Sequence, residues 1–351
     1  MKLWQDKIRK VVPYVPGEQP KIKDIVKLNT NECPYPPSPM VEKAIKEFDT
    51  KELRKYPSIE FTELKAALSA YYKVGSEQLF LGNGSDEVLA ICFQTFFNSD
   101  KPVLFPDVTY SFYDVWCDLY NIPYKRVPLD ESFNIIPSDY YGENGGIVIA
   151  NPNAPTSVYM PLSSIEDILE HNKDVIVIID EAYIDFGGES AVSLLDKYDN
   201  LCVVQTYSKS RALAGMRVGY AMSNKDLVFA LEAVKNSFNS YPLDSIAQAA
   251  ATAAALDTAY FDECRNKIIN TRQRLIAELD KLGFTTLPSF ANFIFTTYKN
   301  RNAKPLFEYL RSKGVIVRYF NKPRIDAYLR ITVGTDSETD RLLAEIKNFI
   351  G

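Results

Sequence analysis

Six short runs of almost unbroken apolar residues constrain this chain more than any other feature: QLFL (78–81), PVLF (102–105), GIVIA (146–150), VIVII (175–179), LCVVQ (201–205) and VGYAM (218–222). A strand with one wet face alternates apolar and polar residues, so runs this uniform belong to strands covered on both sides. Helical patterns lie between most of them. Residues 59–72, IEFTELKAALSAYY, place Phe61, Leu64, Leu68 and Tyr71 on one face, with Ser58 as the expected N-cap. EVLAICFQTFF (87–97) and LSSIEDILEHN (162–172) read the same way. The alternation predicts an α/β fold with a mostly parallel sheet sandwiched between helices.

The pattern changes near residue 258. A long helical stretch (259–281) leads to TTLP, NFIFTT, GVIVRYF and AYLRITVG, with helices expected at 303–313 and 337–349. That is the signature of a smaller α+β unit. A chain of 351 residues is long for one core. We therefore expect an N-terminal arm (1–35) packing on both units, a large domain (36–258) and a small C-terminal domain (259–351). The arm, rich in proline and turn formers (PYVPGEQP, NECPYPP), cannot form a domain alone.

Composition narrows the chemistry. A net charge of −5 leaves no basic excess to neutralise phosphates, so no nucleic-acid partner is expected. No apolar run approaches membrane-spanning length, and MKLWQDKIRK lacks a signal peptide's apolar stretch. Five scattered cysteines without a C-x-x-C pair fit a reducing compartment, so a cytoplasmic protein is expected. The single histidine, His171, falls where a helical pattern ends, which suits a helix C-terminal role. One histidine rules out a histidine-rich metal site, and no metal is expected.

Ligands of parallel α/β sheets bind beyond the carboxyl ends of the strands. Four segments there draw attention. In LGNGSDEVLAICF (81–93) two glycines and a serine open a helix, which can hold an anion on free N–H groups, although a tight turn with an Asp cap gives the same string. In VIVIIDEAYIDF (175–186) Asp180 ends an apolar run, where a carboxylate is costly unless a cation meets it. Two prolines in NPNAPTS (151–157) stiffen a loop carrying Asn153. In TYSKSRALAGMRVGY (206–220), Lys209 lies beside Ser208, with Arg217 eight residues on and suited to a phosphate. A phosphate cradle, a buried acid awaiting a ring cation, an oriented asparagine and a lysine able to form a Schiff base are together what pyridoxal phosphate chemistry requires.

The order GNGSDE, NPNAPTS, DEAYIDF, YSKSRALAGMRVG and LRITVG resembles the fold-type I aminotransferases, from VPYVPG (12–17) through LRITVGT (329–335). The resemblance implies a seven-stranded sheet, pyridoxal 5'-phosphate as cofactor and the following roles. Lys209 is the covalent anchor and moves the substrate proton, and Asp180 pairs with the pyridinium nitrogen. Tyr183 and Asn153 hydrogen-bond the phenolic oxygen, and Tyr110 stacks on the ring. Ser85, Asp86, Ser208 and Arg217 hold the phosphate. Tyr56, in LRKYPS, reaches the phosphate of a neighbouring subunit, which implies a homodimer with shared sites. The chain departs from the family's usual loop at two places: Ala154 stands directly before the proline, and Ser157 replaces a glycine, where a positive φ would carry strain.

On the strand AYLRITVG, Tyr328, Arg330 and Thr332 share one face. Arg330 suits a carboxylate or phosphate fork, and the resemblance assigns it to substrate, with Tyr14. Arg318, in GVIVRYF, reads equally as a substrate ligand or as an arginine snorkelling at a sheet margin. Within the family the pattern is most similar to the branch that exchanges an amino group between a phosphorylated amino alcohol, L-histidinol phosphate, and 2-oxoglutarate to form glutamate. A threonine-phosphate decarboxylase, or an aminotransferase of aromatic or broad specificity, shares the fold. A ligand-sensing regulator on this fold is the reading from another class.

Overall fold

The computed structural model describes residues 4–20 and 24–351. The arm enters as a two-residue strand, β1 (Val26–Lys27). Seven strands then build the large sheet: β2 (Leu79–Asn83), β3 (Val103–Pro106), β4 (Tyr124–Val127), β5 (Gly146–Ala150), β6 (Val177–Asp180), β7 (Leu201–Thr206) and β8 (Val218–Ser223). Their order is β2-β8-β7-β6-β5-β3-β4, and only β8 runs against the others.

Why the runs are uniformly apolar is visible in the packing. Ile147 and Ile149 of β5 enter one core with Val177 and Ile179 of β6, while Val148 and Ile178 enter another on the opposite face. Each strand thus needs apolar residues at every position. The exception is β4, YKRV, an edge strand with two exposed charged residues and no apolar run to announce it.

The expected helices form with shifted ends. The first is Thr62–Tyr72, and its N-cap is Phe61 at φ +51. Ser58 is therefore not the cap; its hydroxyl accepts from the Glu60 N–H one turn earlier. His171 closes the helix Leu162–Glu170, its Nδ1 2.8 Å from the Asp167 carbonyl and its ring stacked on Tyr141.

Beyond the long helix Thr258–Lys281 lie β9 (Phe284–Thr286), β10 (Phe293–Tyr298), β11 (Val315–Ile316), β12 (Arg318–Tyr319) and β13 (Tyr328–Thr332). Four of them form an antiparallel sheet in the order β12-β13-β10-β9, while β11 pairs in parallel with β1. Leu329 and Ile331 of β13 pack with Leu275 and Leu342 from two helices. Arg330, on the other face, is left to look elsewhere. Arg324 ties the small sheet to the large unit, donating to Asp107 Oδ2 at 2.9 Å and to the Asp130 carbonyl at 2.7 Å.

Candidate active site

The sheet brings the site together by register. Ala150 pairs with Asp180 and Asp180 with Val204, so β5, β6 and β7 end along one edge. Because β8 runs the other way, its start lies at that same edge, and Arg217 arrives there just before Val218. A cavity of about 250 Å³ opens above this edge. It is lined by Tyr14, Ser85, Asp86, Tyr110, Asp180, Tyr183, Ser208, Lys209, Arg217, Arg318 and Arg330, residues drawn from the arm and from both sheets.

Lys209 Nζ donates to the Thr30 carbonyl at 3.2 Å and lies 5.7 Å from the Tyr183 ring centre. Among the described residues no carboxylate forms an ion pair with it. Asp180 is 5% exposed. Burial pushes its carboxyl up from 3.8 to about 6, against the pull of Tyr113 Oη, which donates at 2.8 Å, and of the Ala182 N–H at 3.2 Å. Tyr113 is wholly buried and was not legible as a site residue, because it sits in an aromatic run that reads as core.

One end of the cavity is built on close approach. A Cβ at Gly84, whose φ is +80, would stand 2.4 Å from Arg217 Nη2. A Cβ at Gly219 would stand 2.3 Å from Gly84 C and Ser85 N. Two bare glycines therefore let the start of the helix Gly84–Phe96 and Arg217 press together, with first-turn N–H groups unclaimed by the helix itself. Arg217 donates to Ser208 Oγ at 3.3 Å and to Asp86 Oδ2 at 3.1 Å, and Tyr110 Oη donates to Asp86 Oδ1 at 2.8 Å.

A second cationic region lies across the cavity. Arg330 spends one bond on the Asn29 carbonyl at 2.8 Å, and its Nε is buried without a partner. Burial pulls its guanidinium below the ordinary arginine value. Arg318 is its cross-strand neighbour, with its guanidinium 5.4 Å from the Phe320 ring centre. Neither arginine has an ion-pair partner among the described residues. Burial raises the Tyr14 hydroxyl while both arginines draw it down, which places Tyr14 beside them. Its ring stacks on Phe112 at 4.3 Å.

One expectation changes. Asn153 does not line the cavity: its Oδ1 accepts from Thr109, and its Nδ2 donates to the Val108 carbonyl and Thr156 Oγ1. The carboxamide is consumed in bracing the loop, and Ala154 forms the cavity wall in its place. Tyr56, expected to serve a neighbouring subunit, lies outside this chain's cavity, 81% exposed and stacked on Tyr241 at 4.6 Å. Ser157 does adopt φ +66.

The fold and this cavity, which brings a lysine, a buried acid and three arginines together, are those of an aminotransferase. The family model "Aminotransferase class I and II" matches residues 23–346, and the chain belongs to that family. Within it, the chain is 54% identical over 353 residues to the histidinol-phosphate aminotransferase of Acinetobacter baylyi, covering 100% of this chain and 98% of that one. The histidinol-phosphate aminotransferase of Sinorhizobium meliloti, solved in complex with pyridoxal-5'-phosphate, has a TM-score of 0.83 at 25% identity, covering 92% and 90%. The L-threonine-O-3-phosphate decarboxylase of Porphyromonas gingivalis shares the fold, with a TM-score of 0.80 at 22% identity over 93% of this chain and 99% of that one. Among the described residues, no helix is long and apolar enough to cross a membrane.

Proposed function

We propose that this chain is a pyridoxal-phosphate-dependent transaminase that exchanges an amino group between L-histidinol phosphate and 2-oxoglutarate. One observation carries the reading. Two arginines without carboxylate partners, Arg318 and Arg330, face the cavity that also holds Lys209 and Asp180. The cradle fits the cofactor's phosphate, since the space left by the missing side chains of Gly84 and Gly219 is what admits Arg217 and the helix start. When bound, pyridoxal phosphate supplies an electrophilic carbon and a cationic ring that takes up the electron pair released at the substrate's Cα.

The chain's own residues do the rest. Asp180, ionised opposite a ring cation, keeps that nitrogen protonated, and Tyr113 fixes which way the carboxylate faces. Lys209 is placed to anchor the cofactor and then to move the Cα proton on its Nζ. Arg330 offers a fork that a carboxylate or a phosphate ester can fill, so the same side chain serves glutamate in one half-reaction and histidinol phosphate in the other. Arg318 and Tyr14 complete that end of the cavity. Tyr56, turned outward, is assigned to the cradle of a second copy, which makes the working unit a homodimer. We assign residues 1–35, 36–258 and 259–351 to arm, large domain and small domain, and place the enzyme in the cytoplasm.

The test is a half-reaction panel on protein loaded with pyridoxal phosphate. L-Glutamate and L-histidinol phosphate should each convert the visible absorbance to that of the amine form. A protein that leaves both amines untouched but releases carbon dioxide from threonine phosphate is a decarboxylase instead.

A further inference from the structure

Asn31 lies in the arm at φ +56, a left-handed setting that asparagine tolerates better than most residues. Every polar group it carries is engaged. Its backbone N–H donates to Thr332 Oγ1 at 3.0 Å, its carbonyl accepts from Asn292 Nδ2 at 2.9 Å, and its Oδ1 accepts from Thr332 Oγ1 at 3.1 Å. With Oδ1 claimed, the carboxamide has one orientation, and Nδ2 donates to Tyr183 Oη at 2.9 Å.

A phenol carries one proton. Since the Tyr183 oxygen already receives the Asn31 N–H, its own proton must go to another acceptor. No described residue takes it, and Tyr183 and Ala154 both line the cavity. Asn153, expected to share this work, is turned into its own loop.

We propose that Asn31 is a positioning residue that commits the Tyr183 hydroxyl to donate to the cofactor's phenolic oxygen, the recognition that Asn153 does not supply. This rests on the cofactor reading above. Receiving one hydrogen bond makes a hydroxyl a stronger donor in turn, so Asn31 acts on the cofactor only through Tyr183. Donation from Tyr183 stabilises the phenolic oxygen as an anion and competes with the proton held at the Lys209 nitrogen. Losing it makes that proton bind more tightly.

The experiment is a pH titration of the visible absorbance of pyridoxal-phosphate-loaded protein, for wild type, Asn31→Gly, Tyr183→Phe and the double variant. Glycine keeps the positive φ without strain, so the arm's backbone bonds survive. Tyr183→Phe should raise the midpoint by about one unit and Asn31→Gly by roughly half a unit. The double variant should match Tyr183→Phe alone, because the two residues act in series. Thr332→Val, which frees the carboxamide to turn, should shift the midpoint in the same direction and carries the test if Asn31→Gly does not fold. An unmoved midpoint in these variants, or an Asn31→Gly shift as large in the Tyr183→Phe background as in wild type, overturns the positioning role while leaving the cofactor reading standing. A wild-type protein with no pH-dependent visible band removes the cofactor reading itself.

Discussion

Asp180 ends β6 and Glu181 follows it, both with carboxyl groups lifted by burial, Asp180 to about 6 and Glu181 to about 7. Their ordinary values are 3.8 and 4.5, so the folded chain holds protons that the unfolded chain has already released. The stability contributed is complete below the unfolded values and drains away as pH rises through the folded ones. The cofactor-free protein should therefore lose stability from about pH 4 to about pH 7, and Asp180→Asn should remove about 2–3 kcal/mol of that loss. Thermal melts across that range check it, and parallel curves for variant and wild type would contradict it. Arg330 makes the opposite trade. Its half-buried guanidinium has a buried, unpartnered Nε, so Arg330→Met should leave the ligand-free melting temperature no lower than wild type. The same change should cut kcat/KM for glutamate and histidinol phosphate together by about a hundredfold, the worth of a charge-assisted fork. At this scale Lys209, Asp180 and Arg217 drew attention because Asp180 directly follows one apolar run and the other two stand between the next two runs, where charges are conspicuous. Asn31 and Tyr113 were not, since their roles come from partners 152 and 67 residues away. That Asn153 turns away from the cavity was not legible, because the direction of a loop side chain depends on its partners, and Thr109 and Val108 lie outside the motif.

The elements position the site by backbone proximity more than by side-chain chemistry. Gly219 is the test case, for a methyl group there meets backbone atoms at 2.3 Å that cannot turn aside. Gly219→Ala must push the helix start away from β8, a strain of about 1–3 kcal/mol, and should weaken pyridoxal phosphate binding roughly ten- to a hundredfold. A spectral titration with the cofactor measures this, and unchanged affinity would show that the cradle does not depend on the contact. Six of the seven large-sheet strands were legible because burial on both faces demands unbroken apolar runs. The seventh, β4, was not, because an edge strand keeps charged residues outward. The first helix shows where boundaries escape pattern reading. Its apolar stripe was evident, but Phe61 takes the left-handed N-cap position that a serine was expected to fill.

The whole molecule joins two sheets and an arm around one cavity, and the arm's residues 29–31 make the join. The Asn29 carbonyl accepts from Arg330, the Thr30 carbonyl from Lys209 and the Asn31 carbonyl from Asn292. A single short arm segment thus touches both the proposed anchor and the proposed substrate ligand. What this segment touches is visible only in the assembled fold. The exposed Tyr56–Tyr241 pair is the surface we assign to a second copy. Sedimentation should give a dimer, and Tyr56→Phe should loosen pyridoxal phosphate about tenfold without dissociating it, as loss of one hydrogen bond to a charged group does. A monomer with wild-type cofactor affinity would contradict that assignment. The most direct test of the account is borohydride reduction of the pyridoxal-phosphate-loaded protein, followed by peptide mass mapping. The account predicts a single reduced adduct, on Lys209, absent in Lys209→Ala together with multi-turnover transamination. An adduct on another lysine, or a Lys209→Ala variant that turns over at the wild-type rate, would contradict it.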